Sequence, residues 1–497
     1  MAEPVGARAS GGASGQAPGQ ASGGQGRVLA ALALAQFICS FAGSNMNVMI
    51  NDISKDLDTT VQGVQVAITV FLLVMAALMI PGGKLTDRHG RKRCFVTGLV
   101  VYAIGALLSA AAPGLGVLIL GNSILEGIGT ALLIPPVYIL TTLLYPDVTS
   151  RARAFGIIMA LGGVGAAAGP LIGGLITTGI SWRAAFVFQA LVIAVIVWLS
   201  RHIDDPLPPD PTRSFDTGGA VLSAAGLVLV VTGILAADNN IWLMIGLLVL
   251  GALVLMWFFR RVRAEERSGR EPLLSLGLFR NRTSNLGLIT QNVQWLLLMG
   301  SSFTVAAYLQ VVRHYDAIRT GVVFTAATLG LLASSLAAER LAERRPQRTL
   351  VMTGFLVSVA GIAVLVALAG SFTTAWAFVP GLLLLGLGLG VMLTPSVNVV
   401  QSSFPEERQG EISGLSRSVS NLGSSFGTAI AGTILVSGLT SGAYAAAMIT
   451  LAVIGLGGLG AAALLPRPAR RPQTHQGTGP LSRSGPPGRR RTRDVNP

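Results

Sequence analysis

The stretch GGKLTDRHGRKR, residues 82–93, decides how the rest of the chain is read: it holds five Lys or Arg and lies between apolar runs at 64–81 and 94–112. Each run is close to the ~20 apolar residues that a bilayer-crossing helix needs. The stretch therefore reads as a turn between two membrane spans, and a short loop so loaded with cations stays on the cytoplasmic side. Within it, Asp87 is placed to accept hydrogen bonds from a helix N-terminus or to pair with Arg88 or Arg91, and Gly83 and Gly90 permit tight backbone turns. Charge alone leaves open whether the turn is a topology signal or also a working part.

Composition supports the membrane reading. The 497-residue chain is 51% hydrophobic and only 12% charged, with mean hydropathy +0.65, whereas soluble domains carry roughly 25% charge. A net charge of +14 would suggest nucleic acid in a soluble protein, but here the basic residues sit between apolar runs, so no nucleic-acid partner is expected and the bilayer is the expected surrounding. Cys39 and Cys94 lie far apart, beside or within apolar runs, and His89, His202, His314 and His475 lack ligand spacing. Neither a disulfide framework nor a metal site follows.

Along the chain, residues 1–27 are Gly, Ala, Ser and Gln with few large apolar side chains, and are expected to form a disordered tail without a cleaved signal. About fourteen spans follow, at 28–50, 64–81, 94–112, 115–133, 154–177, 184–199, 218–236, 241–259, 286–312, 322–338, 350–369, 376–397, 413–437 and 443–465. An even number puts both termini on one side. Of the 36 Lys and Arg, only Lys55, Arg183, Arg313 and Arg319 fall on the opposite side, and Arg417 lies within a span. Both termini are thus expected in the cytoplasm.

A shift of 256 positions sets Lys84 on Arg340, Leu85 on Leu341, Asp87 on Glu343 and Arg88 on Arg344. The chain reads as all-α: two six-helix bundles, 28–200 and 284–465, with a central linker at 201–283 that adds two extra spans and a basic tail at 466–497. Residues 260–282 mix charge with leucines and read either as an interfacial segment or as a plain connector.

Polar side chains inside spans are costly and mark cavities or helix contacts. In the first span Gln36, Ser40, Ser44, Asn47 and Asn51 share one helical face, which suits either a solute path or helix packing. The ninth span adds Gln291, Gln294 and Trp295, the last an aromatic wall or a packed ring. Among 22 acidic residues, Glu126 alone falls deep in a span, with Asn122 and Thr130 on its face. A carboxyl group there is costly to ionise, so it is a candidate proton carrier; the alternatives are a fixed charge for a cationic solute or a neutral packing residue. In GGVGAAAGPLIGG, Gly165, Gly169 and Gly173 repeat every four residues around Pro170, giving a kinked and closely packed element that acts as a hinge or seal, or only packs. The GLGLG at 386–390 follows no strand and is no nucleotide fingerprint, and without a GxxxxGK[ST] loop no ATP-driven pumping is expected.

Taken together, residues 28–465 resemble the major facilitator superfamily, and within it the fourteen-span drug:proton antiporters. The family's loop motif, G-x-L-x-D-R-x-G-R-K/R, is matched by Gly83, Leu85, Asp87, Arg88, Gly90, Arg91 and Lys92. Its antiporter motif, G-x-x-x-G-P-x-x-G-G, is matched by Gly165, Gly169, Pro170, Gly173 and Gly174, and the SWR at 181–183 is also like the family. The resemblance implies two bundles rocking about a central site, with the loop motif clamping the outward-open state, and export rather than import. The sequence departs from the family at Ala42, where an acidic residue is usual, at Ser123, where an arginine is usual, and at Glu126, where Gln is usual.

The expectation is a plasma-membrane exporter of small, mostly apolar organic compounds, no enzyme, without cofactor, working as a monomer and coupled to protons through Glu126. A proton-independent facilitator or dedicated metabolite exporter, and a transport-inactive sensor, are the alternatives.

Overall fold

The computed structural model describes residues 20–466 apart from 146, 204, 206–207, 211–214, 238–239, 373 and 406–407. The expected tails at 1–27 and 466–497 lie largely outside that set, although helix α1 already begins at Gln20, inside the expected N-terminal tail. The helices are α1 (Gln20–Asn45), α2 (Ile50–Asp56), α3 (Val61–His89), α4 (Arg91–Ala110), α5 (Leu115–Leu118), α6 (Gly127–Leu144), α7 (Val148–Gly179), α8 (Trp182–Ser200), α9 (Thr217–Leu235), α10 (Ile241–Arg267), α11 (Arg282–Ala307), α12 (Ala317–Arg344), α13 (Gln347–Ser371), α14 (Val379–Gln401), α15 (Gln409–Val436) and α16 (Ser441–Ala463). Among the described residues, thirteen helical stretches are long and apolar enough to cross a membrane. A fourteenth, in α7, is bent by 42° between Arg153–Ala166 and Ala168–Gly179. That break falls three residues before Pro170, whose missing N–H and ring loosen the turn that precedes it.

The twelve-residue turn at 82–93 is almost wholly helical. α3 runs on to His89, α4 starts at Arg91, and the break is the single residue Gly90 at φ +94°, a backbone region that favours glycine. The same shift of 256 positions sets Gly90 on Pro346, the second of the two residues between α12 and α13. The two breaks therefore occupy matching positions in the two parts of the chain.

Packing repeats too. Gly98 and Gly105 of α4 meet the backbone of Gly129 and Gly121 in the fourth span, and 256 positions on, Gly354 and Gly361 of α13 meet the backbone of Gly388 and Gly381 in α14. A Cβ at Gly98 would stand 2.8 Å from the Gly129 carbonyl, and one at Gly354 would stand 2.7 Å from the Gly388 carbonyl. Only glycine lets helix backbones approach so closely.

α1 packs on α7 and α8, α4 on α6 and α8, and α3 on α6; among later helices α14 packs on α12 and α13, α11 on α15, and α16 on α13 and α11. The early and late groups meet along two seams, α3 with α15 and α7 with α12. α9 and α10 pair with each other, and α9 leans on both α3 and α15. α10 turns most of its surface outward, with Trp257 63% exposed, as a lipid-facing helix does. In the 260–282 segment Leu273, Leu274 and Leu278 are buried, and Ile80 of α3 packs against the clusters they join.

Candidate functional site

Glu126 ends a π-helical stretch, Ile119–Glu126, that interrupts the fourth span between α5 and α6. π turns are rare and concentrate at functional sites. The side chain is fully buried, and neither carboxyl oxygen has a hydrogen-bond partner. Tyr102 and Ser109 of α4 stand beside it, but their donors are used elsewhere: the Tyr102 hydroxyl donates to Gln189 Oε1 at 2.6 Å and Ser109 Oγ to the Gly105 carbonyl at 2.9 Å. Thr130, on the same face, donates to the Glu126 carbonyl at 2.8 Å. Asn122 is buried, with Nδ2 lacking a partner. Glu126 thus lies inside the early helices, against α4.

The first-span stripe divides along its length. Ser44 faces Gly169 of α7 and donates to the Ser40 and Phe41 carbonyls, which is helix packing. Asn47 and Asn51 form a contact between the early and late helices: Gln310 Nε2 donates to the Asn47 carbonyl at 2.7 Å, and Gln310 Oε1 accepts from the Asn51 N–H at 3.2 Å. Gln310 itself sits in a second π-helical stretch, Tyr308–Val312. Gln36, nearer the Gly90 end, donates to Ser40 Oγ at 3.3 Å and accepts from the Tyr138 hydroxyl at 3.1 Å.

In α11, Gln291 accepts from Ser416 Oγ at 2.9 Å, and Gln294 accepts from Ser396 Oγ at 2.8 Å and donates to the Leu389 carbonyl at 3.3 Å. Both amides bind neighbouring late helices, and Trp295 packs on the main apolar core.

The glycine-proline motif of α7 is shared between two partners. Gly165, Gly169 and Gly173 face α1, while a Cβ at Gly174 would stand 2.5 Å from the Ala317 carbonyl of α12 and Pro170 turns its carbonyl to Gly321 of α12. The α3–α15 seam is bonded by Gln65 Nε2 to the Thr428 carbonyl at 3.1 Å, by Ser425 Oγ to the Thr69 carbonyl at 3.2 Å, and by Ser418 Oγ to the Ala76 carbonyl at 2.5 Å.

At the break between α3 and α4, Arg91 pairs with Asp87 at 3.5 Å. The α4 N-terminus is capped from outside: Asp205 Oδ2 accepts from the Arg91 N–H at 2.6 Å and the Lys92 N–H at 3.2 Å. Of the two sequence options for Asp87, the structure thus brings the Arg91 pair together and gives the cap to Asp205. A Cβ added at Gly83 would stand 3.9 Å from Pro135 Cβ, an ordinary contact, and Arg88 is partly buried.

At the opposite end a cavity of about 380 Å³ is lined by Asp52, Lys55, Asp56, Thr177, Ser181, Trp182 and Arg183. Here the SWR triplet acquires its reason. Ser181 caps α8, while Trp182 Nε1 donates to Asp56 at 3.0 Å and Arg183 pairs with the same carboxylate. The hydrogen bond from Arg183 holds Asp56 below the usual carboxylate range, whereas burial pushes Asp52 up. Among the described residues no group of acidic, His or Cys side chains could hold a metal ion.

Long apolar helices packed in two groups that meet along two close seams are the architecture of a multi-pass membrane protein, and comparison with known proteins identifies a transporter rather than an enzyme. The Major Facilitator Superfamily pattern matches residues 32–259 and again 214–428, and the chain belongs to that family. It is 30% identical over 412 residues to the puromycin resistance protein pur8 of Streptomyces alboniger, covering 82% of this chain and 81% of that one. To the drug efflux pump JefA of Mycobacterium tuberculosis (strain ATCC 25618 / H37Rv) it is 29% identical, covering 79% and 77%. To the riboflavin transporter RibZ of Clostridioides difficile (strain 630) it is 25% identical, covering 83% and 89%. The fold is that of a solved peptide transporter, POT, in complex with sulfate, with TM-score 0.66 at 18% identity over 88% of this chain and 95% of that one.

Proposed function

We propose that the chain exports small, mostly apolar organic molecules across the plasma membrane, as a monomer with both termini in the cytoplasm, and that proton binding at Glu126 drives the cycle. Residues 28–200 and 284–465 then move as two units about the α3–α15 and α7–α12 seams, with Gly83, Asp87, Arg88, Gly90 and Arg91 as the gating break and Gly165 to Gly174 as hinge and seal. Export draws on the relatives, which are named for puromycin resistance and drug efflux.

The observation that carries the coupling is Glu126 itself, a fully buried carboxyl whose oxygens have no partner. Burying a charge unpaired is costly. Such a group stays neutral while packed and ionises only when the π-helical stretch loosens from α4, so proton release requires a repacking within residues 28–200 in addition to their movement as a unit. The test is uphill transport by purified Glu126→Gln protein in liposomes under an imposed pH gradient. Loss of uphill movement with downhill exchange retained is expected, and retained uphill movement removes Glu126 from the mechanism.

A second reading, transport without proton coupling, draws on Ser123 and Ala42. Where the resemblance leads one to expect an arginine, Ser123 Oγ donates to the Ala67 carbonyl at 2.7 Å, an uncharged bond between helices. Transport by the wild-type protein that is indifferent to pH would favour this reading.

A further inference from the structure

Arg417 is the one basic residue the sequence places within an apolar span, eight residues into α15, or ~12 Å from its start at 1.5 Å per residue. A charge at such depth is costly unless something answers it. Its guanidinium lies over the Tyr138 ring, 5.0 Å from the centroid, donates to the Tyr138 hydroxyl, and approaches Met159 Sδ at 3.9 Å. The Tyr138 hydroxyl passes the bond on to Gln36 Oε1. Among the described residues no carboxylate pairs with Arg417, and its Nε and Nη1 have no acceptor.

The surroundings are built for more than a lone cation. Arg417 comes from the late helices, and Gln36, Tyr138 and Met159 come from α1, α6 and α7 among the early ones, so a molecule here touches both. Phe155 stacks on Tyr138 at 6.0 Å, and Met159 is 46% exposed, giving an aromatic and thioether wall beside the charged fork. A guanidinium offers five N–H donors in a plane that matches a carboxylate on two atoms at once.

We propose that Arg417, with Tyr138 and Gln36, receives the carboxylate of an otherwise apolar, aromatic organic acid. This rests on the export reading and names its substrate class. The carboxylate takes the free guanidinium edge, the ring system lies against Tyr138, Phe155 and Met159, and a cationic solute is repelled.

The experiment is equilibrium binding of naphthoate, methyl naphthoate and naphthylmethylammonium to the purified full chain in lipid nanodiscs without any gradient. The wild type is expected to bind the acid about tenfold or more tightly than the ester, as befits a hydrogen bond to a charged group, and the ammonium least. Arg417→Gln is expected to bind acid and ester alike. Arg417→Met, which keeps the apolar stem, serves where the Gln variant does not fold. A wild type without preference for the acid overturns the proposal, and so does a preference that survives in either variant, because a packing or gating role would move both affinities together. Acid-selective binding without uphill transport sinks the export reading and leaves this site standing. Export of neutral compounds without acid preference does the reverse.

Discussion

Gln310 of the second π-helical stretch holds the main chain of Asn47 and Asn51 with both ends of its amide, at 2.7 and 3.2 Å. One side chain thereby fastens the late helices to the early ones at the end opposite Gly90. Two bonds of about 1 kcal/mol each are lost in Gln310→Ala. The variant is expected to open that end more often, and labelling of a cysteine placed at Asn51 by a membrane-impermeant maleimide should speed up by about fivefold or more. An unchanged labelling rate would mean that Gln310 is no latch.

At the Gly90 end, three changes separate gate from scaffold. Asp205→Ala removes the cap of α4 and should cost about 1 kcal/mol of stability. Gly90→Ala forces a side chain into φ +94° with Asp205 Oδ2 only 3.2 Å from its Cβ, and about 1–3 kcal/mol is expected. Asp87→Asn breaks the Arg91 pair, and it should lower transport at unchanged membrane insertion and near-unchanged melting temperature. Failure to insert would return the stretch to a topology signal.

The repeated glycine crossing predicts paired lesions. A Cβ at Gly105 would lie 2.6 Å from the Gly121 carbonyl and 2.9 Å from the Glu126 nitrogen, and one at Gly361 would lie 2.6 Å from the Leu385 nitrogen. These obstacles are backbone atoms, which cannot swing aside. Gly105→Val and Gly361→Val should each cost at least about 1–3 kcal/mol, seen as loss of folded protein on gel filtration; a tolerated valine at either place would refute the close approach.

The two carboxylates of the 380 Å³ cavity should respond oppositely to acid. Asp56 is held low by the Arg183 hydrogen bond, with Trp182 adding to it. Its contribution is present above the ordinary aspartate value of about 3.9 and is lost as pH falls through the lower folded value. Asp52 is held high by burial, with Lys55 partly offsetting and Asp316 adding to the shift. Its cost is present at neutral pH and is relieved as pH falls through the raised value. Asp56→Asn should therefore lower the melting temperature at pH 7 by the equivalent of less than about 1 kcal/mol, since the pair is partly exposed, and Asp52→Asn should raise it. The same direction for both variants would contradict the assignment.

The sequence makes legible what depends on local composition and period. Span positions, the two glycine-bearing motifs and the buried carboxyl at 126 follow from apolar runs and spacing alone. The interruptions are not legible, because nothing in ILGNSILE marks a π turn, and a one-residue break at Gly90 resembles a longer charged loop when only charge is counted. Partners distant in the chain are hidden too. Asp205 lies 114 positions from the Arg91 nitrogen it caps, and Tyr138 lies 279 positions from Arg417. Gln291 and Gln294 show the converse limit: a polar stripe marks need for hydrogen bonds, and here neighbouring helices meet it. Arg417 carried a signal, a cation alone inside an apolar span, which the positive-inside count set aside.

The bonds named along the α3–α15 seam and at the Gln310 latch join amides, hydroxyls and carbonyls, with no formal charge on either side. Ionic strength screens charges and leaves such bonds largely untouched. If this seam opens during transport, that step should depend little on ionic strength, whereas the Asp87–Arg91 pair at the Gly90 break is the element that salt weakens.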